Sequence, residues 1–296
     1  MPPPLHIANL GSSFAAGPSI QPVADRLAAR SGANYAALLA ARVGARLTDL
    51  SASGATLLNL LSEPQEIPGH RFPAQVDRLP ADTDVVLVLG GGDDLGYVAG
   101  FFTDTASSHW IGRFITPDRP HLGEGSGNEG TGAGAGQGQS KGETTTPTTP
   151  PTLDEAALAE RYGAVLDTIH AKVPRALVLV VEYLTMLGPD ARPGVDVPFD
   201  ARRAEHHRRV ARTLQRATAL AAQARSRLPW CVLVPVTEPS RKHGLGAGNP
   251  WVSGFTWRLL YSGGAYHPNA EGMRAVAEIL YWKLFELGVV DDAPRA

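Results

Sequence analysis

The chain has 296 residues, of which 43% are hydrophobic and 19% charged, with a net charge of −2. That composition supports a sizeable core, and the lack of a basic tract interleaved with aromatics argues against nucleic acid as the main partner. The one cysteine, Cys231, excludes an internal disulfide and any multi-cysteine metal centre.

The N-terminus, MPPPLHIANLGSSF, has no basic segment leading into a long apolar one. The expectation is an intracellular protein without a signal peptide, and no apolar run approaches membrane-spanning length. The first strand is predicted over 5–10 and exits into LGSSFAAG, which carries Ser12 and Ser13. A helix follows over 34–45, with Leu, Ala and Val spaced for one buried face. The second strand, 46–51, runs into SASGAT with Ser53 and Gly54, and the third, 84–89, runs into GGGDDLGY with Asp93 and Asp94. Residues 122–151 are almost free of apolar side chains and cannot offset their ordering entropy, so they read as a disordered insertion within one domain. Beyond them lie a helix over 153–173, a strand over 176–183 containing Glu182, and a long Arg/Ala-rich helix over 200–228. His206 and His207 on that helix read as a solvated face. A fifth strand, 230–236, holds Cys231 as a small core residue and is followed by Glu238. Trp251, Phe255 and Trp257 suit a core or a substrate wall equally. His267 then precedes a last helix over 269–288.

Strands 84–89 and 176–183 are continuously apolar and rich in Val, as in a parallel sheet covered on both faces. Alternation with helices predicts an α/β fold, a three-layer α/β/α sandwich on a five-stranded parallel sheet. Ligands in such sheets bind at the carboxyl ends of the strands. Ser13, Gly54, Asp93, Glu182 and Glu238 follow or end strands there, and His267 precedes the last helix. A nucleophile, a base and N–H donors for an oxyanion are what acyl transfer requires. Taken alone, Ser13 is a turn residue and His267 a helix-start residue. Two adjacent acids are too few ligands for a metal, and GGGDD lacks the Lys and Ser/Thr of a phosphate loop.

The ordered blocks LGSSFAAG, SASGAT, GGGDDLGY and YHPNAEGM resemble those of the SGNH (GDSL-type) esterase/lipase superfamily over nearly the whole chain outside the insertion. The resemblance implies a flavodoxin-like sandwich, hydrolysis of a small-molecule carboxylic ester through an acyl-enzyme, and no metal or organic cofactor. It assigns the nucleophile to Ser13, with Ser12 in the place of the family's Asp. It assigns the base to His267 and the backbone oxyanion donors to Ser13 and Gly54. The family's Asn, a side-chain oxyanion donor, falls on Asp93, and the family's acid falls on Gly264. Either a backbone carbonyl completing a Ser–His dyad or a carboxylate from Glu182 or Glu238 then has to orient the imidazole. An ionised Asp93 accepts hydrogen bonds and donates none. Such a loss costs about 2.7–4 kcal/mol, roughly 10²–10³ in rate, whereas a protonated Asp93 retains a donor. The alternative is a weak or inactive relative that binds an ester or glycan without turning it over.

Overall fold

The computed structural model describes residues 3–108, 153–226 and 230–291. The low-complexity stretch 122–151 lies outside the described residues. Five parallel strands form the central sheet: β1 (His6–Gly11), β2 (Arg46–Asp49), β3 (Val85–Leu89), β4 (Leu177–Val181) and β5 (Cys231–Val234). Their spatial order is β2-β1-β3-β4-β5. The α/β sandwich expected from the alternating pattern is the fold observed.

β1 and β3 are buried at every position, and β4 at all but its first. This is why their sequences lack polar alternation, since helices cover both faces. α2 (Tyr35–Val43) packs against α8 (Ala270–Glu286), and α5 (Glu155–Lys172) against α6 (Ala201–Gln223). Side-chain caps start these helices. Asn34, Asp154, Asp200 and Asn269 each accept from a backbone N–H three residues on, which satisfies an otherwise orphaned donor. α3 (Leu57–Leu61) opens with a capping box between Thr56 and Asn59.

Three features depart from the sequence expectation. Two small antiparallel pairs, Val23–Asp25 with Arg30–Ser31 and Gln65–Ile67 with His70–Phe72, had no readable pattern. α1 (Ser13–Ala16), α4 (Tyr97–Ala106) and α7 (Trp257–Ser262) add short helices. His207 is not on a solvated face. It is buried, its Nε2 lies 2.8 Å from Asp104, and its ring packs on Phe101 and Phe199. Cys231 is buried as expected, and burial pushes its thiol up to about 11.

The order β2-β1-β3 reverses direction at β1, so the ends of β1 and β3 flank a topological switch point, where open α/β sheets form their ligand crevice. Ser12 and Ser13 follow β1, and Gly92 and Asp93 follow β3.

Candidate active site

The chain leaves β1 through a fixed turn. A Cβ on Gly11 would lie 2.2 Å from the Leu89 carbonyl, so only glycine lets β1 approach β3 this closely. Buried Gln75 grips Gly11 from both sides: Oε1 accepts from its N–H at 2.8 Å, and Nε2 donates to its carbonyl at 3.0 Å. Ser12 N–H then donates to Leu89 O at 3.1 Å, and Ser13 begins α1, almost wholly buried.

The Gly54 loop is tied to the same strand end. Ala52 N–H donates to the Gly11 carbonyl at 3.1 Å, Ser53 N–H to Ala28 at 2.9 Å, and Gln65 Nε2 to the Ser53 carbonyl at 2.7 Å. Gly54 sits at φ 79°, a conformation that favours glycine. Neither the Ser13 nor the Gly54 N–H meets a protein acceptor among the described residues.

His267 lies before α8 in a segment held by Val252, which bridges to Pro268, and by Ser253, whose N–H donates to the His267 carbonyl at 2.8 Å. Tyr266, just before it, takes φ 59°, rare for a bulky residue, and is held there by burial and a 2.6 Å bond to Thr105 Oγ1. Nδ1 of His267 lies 2.8 Å from the Ala265 carbonyl. A carbonyl only accepts, so Nδ1 carries the proton and Nε2 keeps its lone pair. Burial pushes the imidazole down to about 4, partly offset by that carbonyl. Phe14, the residue after Ser13, has its ring 5.7 Å from that of His267. This contact holds the imidazole beside the start of α1.

The carboxylate expected from a neighbouring strand end is not the group at Nδ1. Glu182 Oε2 accepts from Val236 N–H at 3.2 Å and Thr237 N–H at 3.1 Å, which closes the end of β5. Glu238 is exposed and faces Arg241 at 3.5 Å. Gly264 has no room for a side chain, because a Cβ there would lie 2.5 Å from Ser19 Oγ.

Asp93 follows Gly92 on the turn after β3. Its surface is open to solvent while the protein around it is dense. Desolvation pushes its carboxyl up to about 6; a hydrogen bond from Ser12 opposes the rise, and Asp94 adds to it. Asp94 has no exposed side-chain surface, accepting from Arg161 Nη1 and Leu57 N–H, each at 2.8 Å. It locks the turn onto α5 and α3.

Sequence reasoning missed two residues. Tyr183 Oη lies 3.1 Å from Ser12 Oγ and accepts from Gly92 N–H at 3.0 Å, with its ring 4.8 Å from Phe14. Its place at a strand's carboxyl end was the available signal. Gln75, outside any strand, offered none. A cavity of about 320 Å³ is lined by Tyr183 together with Tyr97, Leu184, Met186 and Leu214; Ser13 and His267 do not line it. Among the described residues no group of three or more His, Cys, Asp or Glu is placed to hold a metal ion. No helix among them is long and apolar enough to cross a membrane.

The crystal structure of phospholipase A1 from Streptomyces albidoflavus NA297 superposes with a TM-score of 0.66 at 18% identity, covering 95% of this chain and 99% of that one. The extracellular lipase from Streptomyces rimosus gives 0.61 at 19% identity, covering 93% and 98%. At these identities the likeness is one of fold. Lipase 2 of Streptomyces coelicolor is 27% identical over 284 residues, 93% of this chain and 84% of that protein. The GDSL-like Lipase/Acylhydrolase family profile matches residues 10–275, which take in the end of β1, the other four strands, the loops at Gly54 and Gly92, and His267, and the chain belongs to that family.

Proposed function

We propose that the chain is a carboxylic ester hydrolase with Ser13 as nucleophile and His267 as general base. The observation that carries this reading is the Nδ1 contact to the Ala265 carbonyl, which leaves Nε2 as the basic nitrogen without any carboxylate. In the first step Ser13 Oγ bonds to the substrate carbonyl carbon as its proton passes to His267 Nε2. The N–H groups of Ser13 and Gly54 hold the oxyanion. Collapse breaks the bond to the leaving alcohol, which takes the proton from Nε2. Water then repeats the sequence on the acyl-enzyme, releasing the acid and restoring Ser13.

The similar proteins above, a lipase and a phospholipase A1, agree with ester substrates. The reading is tested by hydrolysis of 4-nitrophenyl butyrate. Ser13→Ala and His267→Ala are each expected to lower kcat by at least about 10³ while the fold is retained. An unchanged rate in folded Ser13→Ala contradicts the assignment.

A further inference from the structure

The cavity lined by Tyr183 lies at the carboxyl ends of β4 and β5, walled by residues 183–189, by Thr237, Glu238 and Arg241, and by one face of α6. Its inner wall is apolar, with Tyr97, Leu184, Met186, Leu187 and Leu214 all buried. Polar atoms along that wall are taken up by the protein itself. Thr185 Oγ1 donates to the Thr237 carbonyl at 2.8 Å, and Thr237 Oγ1 donates to the Tyr183 carbonyl at 3.0 Å. His207 Nε2 lies 2.8 Å from Asp104, and Tyr183 Oη has Ser12 and Gly92 as partners. An occupant of this inner part gains by burying hydrocarbon and needs no polar group there.

The rim has the opposite character. Arg208, Arg212 and Arg241 line it, with side chains from a quarter to more than half exposed. Arg208 Nη2 donates to the Gly188 carbonyl at 3.2 Å, Arg212 Nη2 to Glu205 at 2.7 Å, and Arg241 Nη1 lies 3.5 Å from Glu238. A guanidinium carries five N–H donors, so each keeps donors beyond these contacts. Three guanidinium groups against the carboxylates of Glu205 and Glu238 leave one positive charge in excess. His207 is buried, and burial disfavours its charged form. An apolar chamber with a cationic mouth fits an amphiphile with one anionic head.

We propose that this cavity is a binding site for a single-chain alkyl carboxylate, a medium-chain fatty acid, separate from Ser13 and His267. The tail lies against Met186, Leu187 and Leu214, and the carboxylate meets Arg212 and Arg241. A volume of about 320 Å³ is near the lower end for small-molecule sites, which suits one chain rather than two. The planar guanidinium fork matches a carboxylate, and a single excess positive charge suits a monoanion better than a dianionic phosphate. Tyr97 and Tyr183 pack on Phe14 with ring centres 6.4 and 4.8 Å away, but Phe14, Ser13 and His267 do not line the cavity. The site is complete whether or not Ser13 is a nucleophile.

The test is isothermal titration of sodium decanoate, below its micelle-forming concentration, into the full chain and into Ser13→Ala, Ala211→Phe, Arg212→Glu and Arg241→Glu. Thermal melts check that each variant folds. One decanoate per chain is expected, with the same affinity in Ser13→Ala. Ala211→Phe fills the cavity from α6 and should abolish binding. Each charge reversal should weaken it about tenfold, as loss of a charge-assisted hydrogen bond implies. Decanol, which has the tail without the charge, should bind more weakly by about the same factor. A decanoate with a diazirine at its tail end is expected to label residues 183–189 or 207–215 on irradiation, located by peptide mass spectrometry. Any one of four results overturns the inference: no binding at millimolar decanoate, decanol bound as tightly as decanoate, unchanged affinity in folded Ala211→Phe or in both charge reversals, or labelling confined to the peptides of Ser13 and His267. Turnover of 4-nitrophenyl butyrate tests the esterase reading separately and is untouched by these outcomes.

Discussion

Gly264 stands where the family resemblance would place an acid, and the structure explains its lack of a side chain. Ser19 fills that space, with its Oγ donating to the Ser262 carbonyl at 2.6 Å. The group that His267 Nδ1 meets is the Ala265 carbonyl, two residues before the imidazole. Gly264→Asp is therefore expected to overpack the loop, at a cost of about 1–3 kcal/mol. A lower melting temperature and a kcat no higher than wild type are the expected readings. A raised kcat with unchanged melting would mean that a carboxylate fits and improves the base. Little of this residue-level detail was legible in the sequence. Ser13 and His267 stood out through their blocks, but the Tyr183–Ser12 bond joins residues 171 positions apart and leaves no local pattern. The same holds for His207, whose burial depends on Asp104, 103 positions away.

At the level of elements, the strands were readable because burial on both faces demands unbroken apolar runs, as in VVLVL of β3 and LVLVV of β4. Their ends were not readable. The predicted strand continues to Tyr183, yet β4 stops at Val181, and the next residue, Glu182, uses its carboxylate to receive two N–H groups from beyond β5. α1, with four residues, is too short to show a helical period. The turn after β3 depends on the buried side chain of Asp94, which joins Arg161 of α5 to the start of α3. Asp94→Ala leaves a guanidinium and a backbone N–H without their partner, and the expected loss is about 3 kcal/mol. A shift in the urea midpoint measures it. A variant as stable as wild type would show that the turn is held by its backbone alone.

For the whole molecule, the decisive feature is the β2-β1-β3 order, which brings the ends of β1 and β3 together at the switch point. Ser13 enters from one strand and Asp93 from another, while the segment before α8 brings His267 to the same edge through Phe14. The sandwich was predictable from alternating strands and helices, whereas the order of the strands in space was not. A serine poised by His267 should react irreversibly with a phosphonate ester, and peptide mass spectrometry then locates the adduct. One phosphonyl group per chain is expected, on Ser13, and none in folded His267→Ala under the same conditions. An adduct on another residue, or equal labelling of Ser13 without His267, would contradict it.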